Sequence, residues 1–182
     1  MSRGPAIQTS RGTIFYILDP RPEEIEIEAI AHALSQLVRF TGQIRKLYTV
    51  AQHCLQVSKI VRPELALEGL LHDAAEAYVG DVVTPLKAML PGYQVIEDRI
   101  HLAIASRFDL ATDPVTLAEV KQADLIALST EKRDLMVPMT VDEFVLWSAN
   151  GPLPEPLTPE IEVLSPTVVR AAFLDRYERL KR

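Results

Sequence analysis

A chain of 182 residues with 48% apolar and 24% charged side chains can bury one sizeable core, and no apolar run reaches the roughly 20 residues that a bilayer crossing needs. The single cysteine, Cys54, excludes intrachain disulfides and cysteine-based zinc clusters within one chain, so any metal must be held by histidine and carboxylate. A net charge of −6 without a dense Lys/Arg block argues against a groove for a nucleic acid polymer, but a few local cations suffice for a single nucleotide.

The first residues, 1–12, contain no apolar stretch of the secretory type, and a cytoplasmic protein without membrane contact is expected. Short extended runs at 7–9 and 13–17, separated by Ser10, Arg11 and Gly12, predict a β-hairpin over 7–18 as the only sheet. Asp19, Pro20, Arg21 and Pro22 stop it. Pro22 followed by Glu23 and Glu24 offers a helix start, because proline suits the first helical position and acids suit the first turn. Ile27, Ile30, Ala31, Leu34, Leu37 and Val38 recur at helical spacing and predict a first helix ending near Thr41 and Gly42. His32 lies opposite that stripe and reads as a surface or capping residue. Arg39, Phe40, Arg45 and Lys46 gather cations and an aromatic around the next loop, either as solvated charge or as a phosphate clamp.

A second helix is predicted over 49–61, with Thr49 as N-cap and Gln52 completing a capping box. Val50, Cys54, Val57, Ile60 and Val61 share its inner face, Gln52, Gln56 and Lys59 point away, and His53 sits at the inner edge. It is either a satisfied core histidine or a ligand. A third helix is predicted from Pro63 to Gly80. Leu70, Leu71, Ala74 and Tyr78 fall on one side of it, and His72, Asp73 and Glu76 on the other, as a solvated face or as a metal or acid–base site. Thr84 and Pro85 shape the following loop. A fourth helix over 93–108 turns Ile96, Ile100, Ala103 and Ile104 inward.

Asp113 and Pro114 start a long fifth helix with Leu117, Val120, Ala127 and Leu128 as its inner stripe. Asp124 falls within that stripe, where a carboxylate must be paired, protonated or bound to a cation. Glu131, two turns on, reads either as a structural salt bridge or as a functional group. A short helix over 141–147 and a proline-rich loop over 152–159 follow. Ser165 and Pro166 then cap a last helix whose Val169, Ala172, Phe173, Tyr177 and Leu180 seal either the core or a subunit interface. We expect a homo-oligomer. The whole is expected to be an all-α bundle in one domain, 1–182, with the 7–18 hairpin and a C-terminal extension, 137–182, packed on it.

His53, the His72/Asp73 pair and Asp124 stand on three separate helices, which a bundle can bring together. Two imidazoles and two carboxylates suit one divalent transition metal: Mn, Co, Zn, Ni or Fe. The stretches YTVAQHCLQVSKIV, LLHDAAEAYVGDVVTPLK and VKQADLIALSTEKRDL, in the order H…HD…D, resemble the HD-domain metal-dependent phosphohydrolase superfamily. More closely, they are similar to its bacterial 5'-deoxynucleotidases and phage dATP triphosphohydrolases. The resemblance runs from the hairpin to about Met136.

It implies an HD-domain helical bundle in which His53, His72, Asp73 and Asp124 bind the metal. It implies Glu76 as general acid/base or holder of the attacking water, Asp81 and Thr84 as helpers at that water or the sugar, and Arg39 as the phosphate-binding cation. Phe40 stands where those enzymes carry tryptophan. Arg45, Lys46, Lys87 and Lys132 are candidates for further phosphates, and the hairpin around Ile14 for a base pocket. The expected reaction is hydrolysis of a deoxynucleoside 5'-monophosphate to deoxynucleoside and phosphate. The alternatives are a triphosphohydrolase releasing tripolyphosphate, with Mg accompanying the substrate, a nucleotide-binding module without catalysis, and a structural bundle with His53, His72 and Asp124 in buried hydrogen bonds.

Overall fold

The computed structural model describes residues 3–147 and 151–181; residues 1–2 of the expected signal-free start, and 148–150 and 182 of the expected extension, lie outside the described residues. The chain is mostly helical, with one antiparallel hairpin near its start. Strand β1 (Ala6–Gln8) pairs with β2 (Ile14–Tyr16) so that Ile7 faces Phe15 across the ladder. Phe15 is fully buried and stacks on Tyr78 with ring centroids 3.9 Å apart, whereas Ile14, on the opposite side of the strand, is 47% exposed.

The expected helix start at Pro22 is instead a single 3₁₀ turn, Pro22–Glu24, and α1 runs over Ile27–Gln36. It stops well short of Thr41 because Leu37 and Val38 turn extended and pair with the entry to the next helix. Val50 N–H donates to the Leu37 carbonyl oxygen and Arg39 N–H to that of Tyr48, each at 3.0 Å, which satisfies backbone groups a longer helix would have used internally. A 3₁₀ turn, Arg39–Gly42, follows, in which Phe40 (φ 54°) and Thr41 (φ 52°) are both left-handed. Such a conformation costs an L-residue about 1–2 kcal/mol.

Helix α2 (Val50–Ile60) is the central element, buried from Val50 through Leu55 and again at Val57 and Ser58. Thr49 caps it by accepting from Gln52 N–H. Gln52 does not close the expected capping box, and it does not point away: its side-chain amide donates to the Glu162 carbonyl oxygen (2.6 Å) and accepts from Leu164 N–H (3.1 Å). The C-terminal segment offered a richer set of partners than the cap itself.

The helix expected over 63–80 is broken. A 3₁₀ turn (Pro63–Leu65) leads into α3 (Ala66–Leu71), residues 72–75 form tight turns, and α4 (Glu76–Val79) ends at Gly80, whose φ is +85°. Within the break Ala74 N–H donates to Leu71 and Glu76 N–H to Asp73, both one residue shorter than α-helical bonds, so the chain overwinds where His72 and Asp73 stand. Helix α3 lies close on α2 at Gly69, where a Cβ would sit 3.0 Å from Val61 Cγ2 and 3.1 Å from Ser58 Cα.

A short helix, α5 (Thr84–Lys87), occupies the stretch expected as loop, and α6 (Pro91–Phe108) buries Ile100, Ala103 and Ile104. Helix α7 (Pro114–Leu135) is capped by Asp113, which accepts from Val115 and Thr116 N–H. Its inward line runs through Thr116, Val120, Ala123, Ala127 and Thr130. Leu117, expected inward, is one residue off that line, about 100° round the helix, and 45% exposed. Helix α8 (Val141–Trp147) and α9 (Pro166–Leu180) complete the chain. Helix α9 packs on α1, α2 and α3 with Val169 and Phe173 fully buried, so its apolar face seals the core; Ser165 makes no side-chain cap. Among the described residues no helix is long and apolar enough to cross a membrane.

Candidate metal centre

Helix α2 brings His53, and the overwound turn after α3 brings His72 and Asp73, to one point, and α7 sets Asp124 beside His53. His53 Nε2 lies 3.2 Å from His72 Nε2, 3.2 Å from Asp124 Oδ1 and 3.6 Å from Asp73 Oδ2, and His72 Nε2 lies 3.1 Å from Asp73 Oδ2. Donor atoms about 2.0–2.2 Å from one ion, at tetrahedral or octahedral angles, stand roughly 3–3.5 Å apart. The separations fit a shared cation. Among the described residues, His53, His72 and Asp73 form a group with ligand atoms all within 4.8 Å of one another; Asp124 stands at its edge, with Oδ1 3.2 Å from His53 Nε2 and Oδ2 accepting from Lys121 at 2.6 Å.

Both rings are held with Nε2 toward that point. His72 Nδ1 is 2.9 Å from the Gly69 carbonyl oxygen, which only accepts, so Nδ1 carries the hydrogen. His53 Nδ1 donates to Glu131 Oε1 at 2.6 Å. Each Nε2 of a neutral ring therefore presents a lone pair, the orientation that metal-bound histidines share.

Charges in the cluster are strongly interdependent. Burial opposes protonation of His53 and His72, yet Glu131 and Asp124 around the first and Asp73 beside the second raise both, His72 well above the ordinary histidine range. Burial works against ionised Asp73 and Asp124, but the two imidazoles hold both well below the usual carboxylate range. Burial pushes the Cys54 thiol up to about 11, against the pull of the neighbouring His72.

Beside the ligands lie two unusual carboxyl groups. Glu76 is 5% exposed, its Oε2 is buried without a hydrogen-bond partner, and burial, with the charges of Asp73 and Asp81, pushes its pKa up to about 10. Asp81 Oδ2 is also buried without a partner, and burial with the Asp73 charge raises this group too. Unsatisfied buried oxygens next to convergent ligand atoms mark a place for a polar or cationic guest.

Arg39 backs the cluster. Its guanidinium donates to Glu131 Oε2 at 3.1 Å, lies 4.0 Å from Asp73 Oδ2 and sits 5.1 Å from the centre of the Phe40 ring. Arg39 Nε is another buried, unpartnered atom. Lys87, half-buried on α5, is paired with Glu97 at 2.8 Å, and its charge reaches Glu76 and Asp81.

Other expected contacts are placed elsewhere. Arg45 is exposed and donates to the Asp134 carbonyl oxygen at the far end of α7, Lys46 is exposed, and Lys132 covers the Phe144 ring. Thr84 opens α5 and is exposed. The structure decides one residue whose role the sequence leaves open and adds two it does not single out. Glu131, left open there, is fully buried and carries His53. Tyr93 and Glu97, four residues apart on α6, hold the segment that follows Glu76: Tyr93 Oη donates to the Gly80 carbonyl oxygen at 2.7 Å and Glu97 holds Lys87. Their i, i+4 spacing was readable, but only as the polar neighbour of an apolar stripe.

No known protein-family profile matches the chain. Whole-chain similarity is found to an uncharacterized protein, YfdR, of Escherichia coli strain K12, 37% identical over 174 residues that cover 96% of this chain and 94% of that one. It is found also to an uncharacterized protein of Rhodobacter capsulatus, 34% identical over 179 residues that cover 91% of this chain and 90% of that one.

Proposed function

The chain belongs to the family of these two bacterial relatives, and we propose that it is a divalent-metal-dependent phosphohydrolase of HD-domain type, acting on deoxynucleoside 5'-monophosphates in the cytoplasm. The observation that carries the proposal is the convergence of His53 Nε2, His72 Nε2 and Asp73 Oδ2, with Asp124 Oδ1 3.2 Å from His53 Nε2 and both imidazoles locked by bonds at Nδ1. Mn, Co, Zn, Ni and Fe all suit this mixed nitrogen and oxygen set. The chemistry such a cation supplies is Lewis-acid polarisation of a phosphoryl oxygen and acidification of water.

The chain's own groups do the rest. Glu76, kept protonated at neutral pH by burial and its acidic neighbours, holds a proton to hand to the departing 5' oxygen. Asp81 shares its electrostatic surroundings and orients water on the same side. Arg39 presents a buried positive charge to the equatorial phosphate oxygens while remaining tied to Glu131. Water adds to phosphorus, the ester bond to the sugar breaks, and deoxynucleoside and orthophosphate leave.

Charge around Glu76 and Asp81 favours the monophosphate. Of the cations considered for extra phosphates, Lys87 alone borders the acid pair, and Glu97 already neutralises it; Arg45 and Lys132 are engaged elsewhere. A triphosphate would bring more negative charge than these groups offset. The test is a screen of deoxy- and ribonucleoside mono- and triphosphates with Mn or Co and product identification. Orthophosphate from deoxynucleoside monophosphates is expected, and its loss in Asp73→Ala. Tripolyphosphate as the product would replace the monophosphate reading by a triphosphohydrolase, and inactivity on every nucleotide would leave neither standing.

A further inference from the structure

We propose that Glu131 is a positioning residue of this site, one carboxylate that holds His53 in its ligating tautomer and fixes Arg39 with its other oxygen. The inference rests on the metal-dependent reading above. Glu131 is wholly inaccessible to solvent, and a carboxylate there is costly unless both oxygens are used. Both are: Oε1 accepts from His53 Nδ1 at 2.6 Å and Oε2 from Arg39 at 3.1 Å.

A structural ion pair needs only the second contact. The first spends the sole hydrogen of a neutral His53 on Glu131 and leaves Nε2, 3.2 Å from both His72 Nε2 and Asp124 Oδ1, as the ring's free donor atom. Through Arg39, whose other terminal nitrogen lies 4.0 Å from Asp73 Oδ2, the same carboxylate is also linked to a second ligand. His72 is held differently, by the Gly69 carbonyl oxygen, which no side-chain replacement removes. Among the described residues, Glu131 is therefore the side chain on which the orientation of a ligating imidazole depends. Its place on α7, two turns after Asp124, lets one helix supply both a ligand and another ligand's support.

Cobalt(II) titration of the full chain, followed by visible absorption, tests this with wild type and Glu131→Gln at a temperature where circular dichroism shows both folded. The glutamine keeps the volume and removes the charge. About 10–100-fold weaker cobalt binding is expected, because the amide has one acceptor oxygen for two donors and must turn its NH2 on either His53 Nδ1–H or the Arg39 guanidinium. Equal affinity overturns the role of Glu131 alone, since a merely structural carboxylate lowers the melting temperature and leaves the affinity of the folded protein intact. Failure of wild type to bind cobalt overturns the metal reading and this inference with it. Should Glu131→Gln not fold, ¹⁵N NMR of the zinc-loaded wild type decides: protonated Nδ1 with zinc on Nε2 of His53 supports the assignment, and the reverse arrangement overturns it.

Discussion

Glu76 separates chemistry from metal binding, because it is buried beside the ligands with Oε2 unpartnered and stands outside the ligand group. In Glu76→Gln the shape is kept and the transferable proton is lost, so kcat should fall about 10²–10⁴-fold, with the bound Mn or Co unchanged by metal analysis. A variant with full kcat would remove Glu76 from the proton path. The same substitution has a pH signature in the metal-free protein. Between the ordinary 4.5 and the folded value of about 10, the native state holds a proton on Glu76 that the unfolded chain has lost. Stability therefore falls as pH rises through that window, and is fullest below it. Urea unfolding of Glu76→Gln from about pH 6 to 9 should show a flatter decline than wild type. Parallel curves would mean that Glu76 ionises freely. Neither the proton nor its pH window was readable from the residue letters: Glu76 was legible as a polar position one turn after Asp73, but its burial and its charged neighbours come from packing.

At the level of elements, the contact between α2 and α3 sets where two ligands meet. Gly69 permits it, since a Cβ there would press on Ser58 backbone at 3.1 Å and Val61 Cγ2 at 3.0 Å, and its carbonyl also fixes His72. Gly69→Ala gains about 0.5–1 kcal/mol in helix propensity. Overpacking costs about 1–3 kcal/mol, and the helix backbone cannot yield. We expect a net loss of about 1–2 kcal/mol by denaturant unfolding together with weaker metal binding; an unchanged or raised stability would show that the helices part freely. The sequence named this helix by its apolar spacing but ran it unbroken from 63 to 80. Overwinding at 72–75 is invisible to a 3.6-residue period, because the apolar side, Leu71, Ala74 and Tyr78, stays on the core through the break.

For the whole molecule, helix α2, the turn at 72–75 and helix α7 are tied by one proposed ion, so metal should report on global stability. At a free metal concentration about 100 times Kd the folded state gains about 2.7 kcal/mol. For a chain of this size that corresponds to roughly 5–10 °C in Tm. Chelator should lower the Tm of wild type by that amount and leave His53→Ala unmoved; a wild-type Tm indifferent to chelator would speak against a bound cation. The helical spacing of α2, α6, α7 and α9, the Thr49 and Asp113 caps and the hairpin were legible in the sequence alone, because periodicity and capping are local and written in neighbouring residues. The end of α1 at Gln36, the reach of Gln52 to Glu162 and Leu164, the bond from His53 to Glu131 and the distance of Arg45 from the acid pair were decided by tertiary structure. Each depends on which of several distant partners satisfies a buried polar group, and that competition is settled only when the helices are packed.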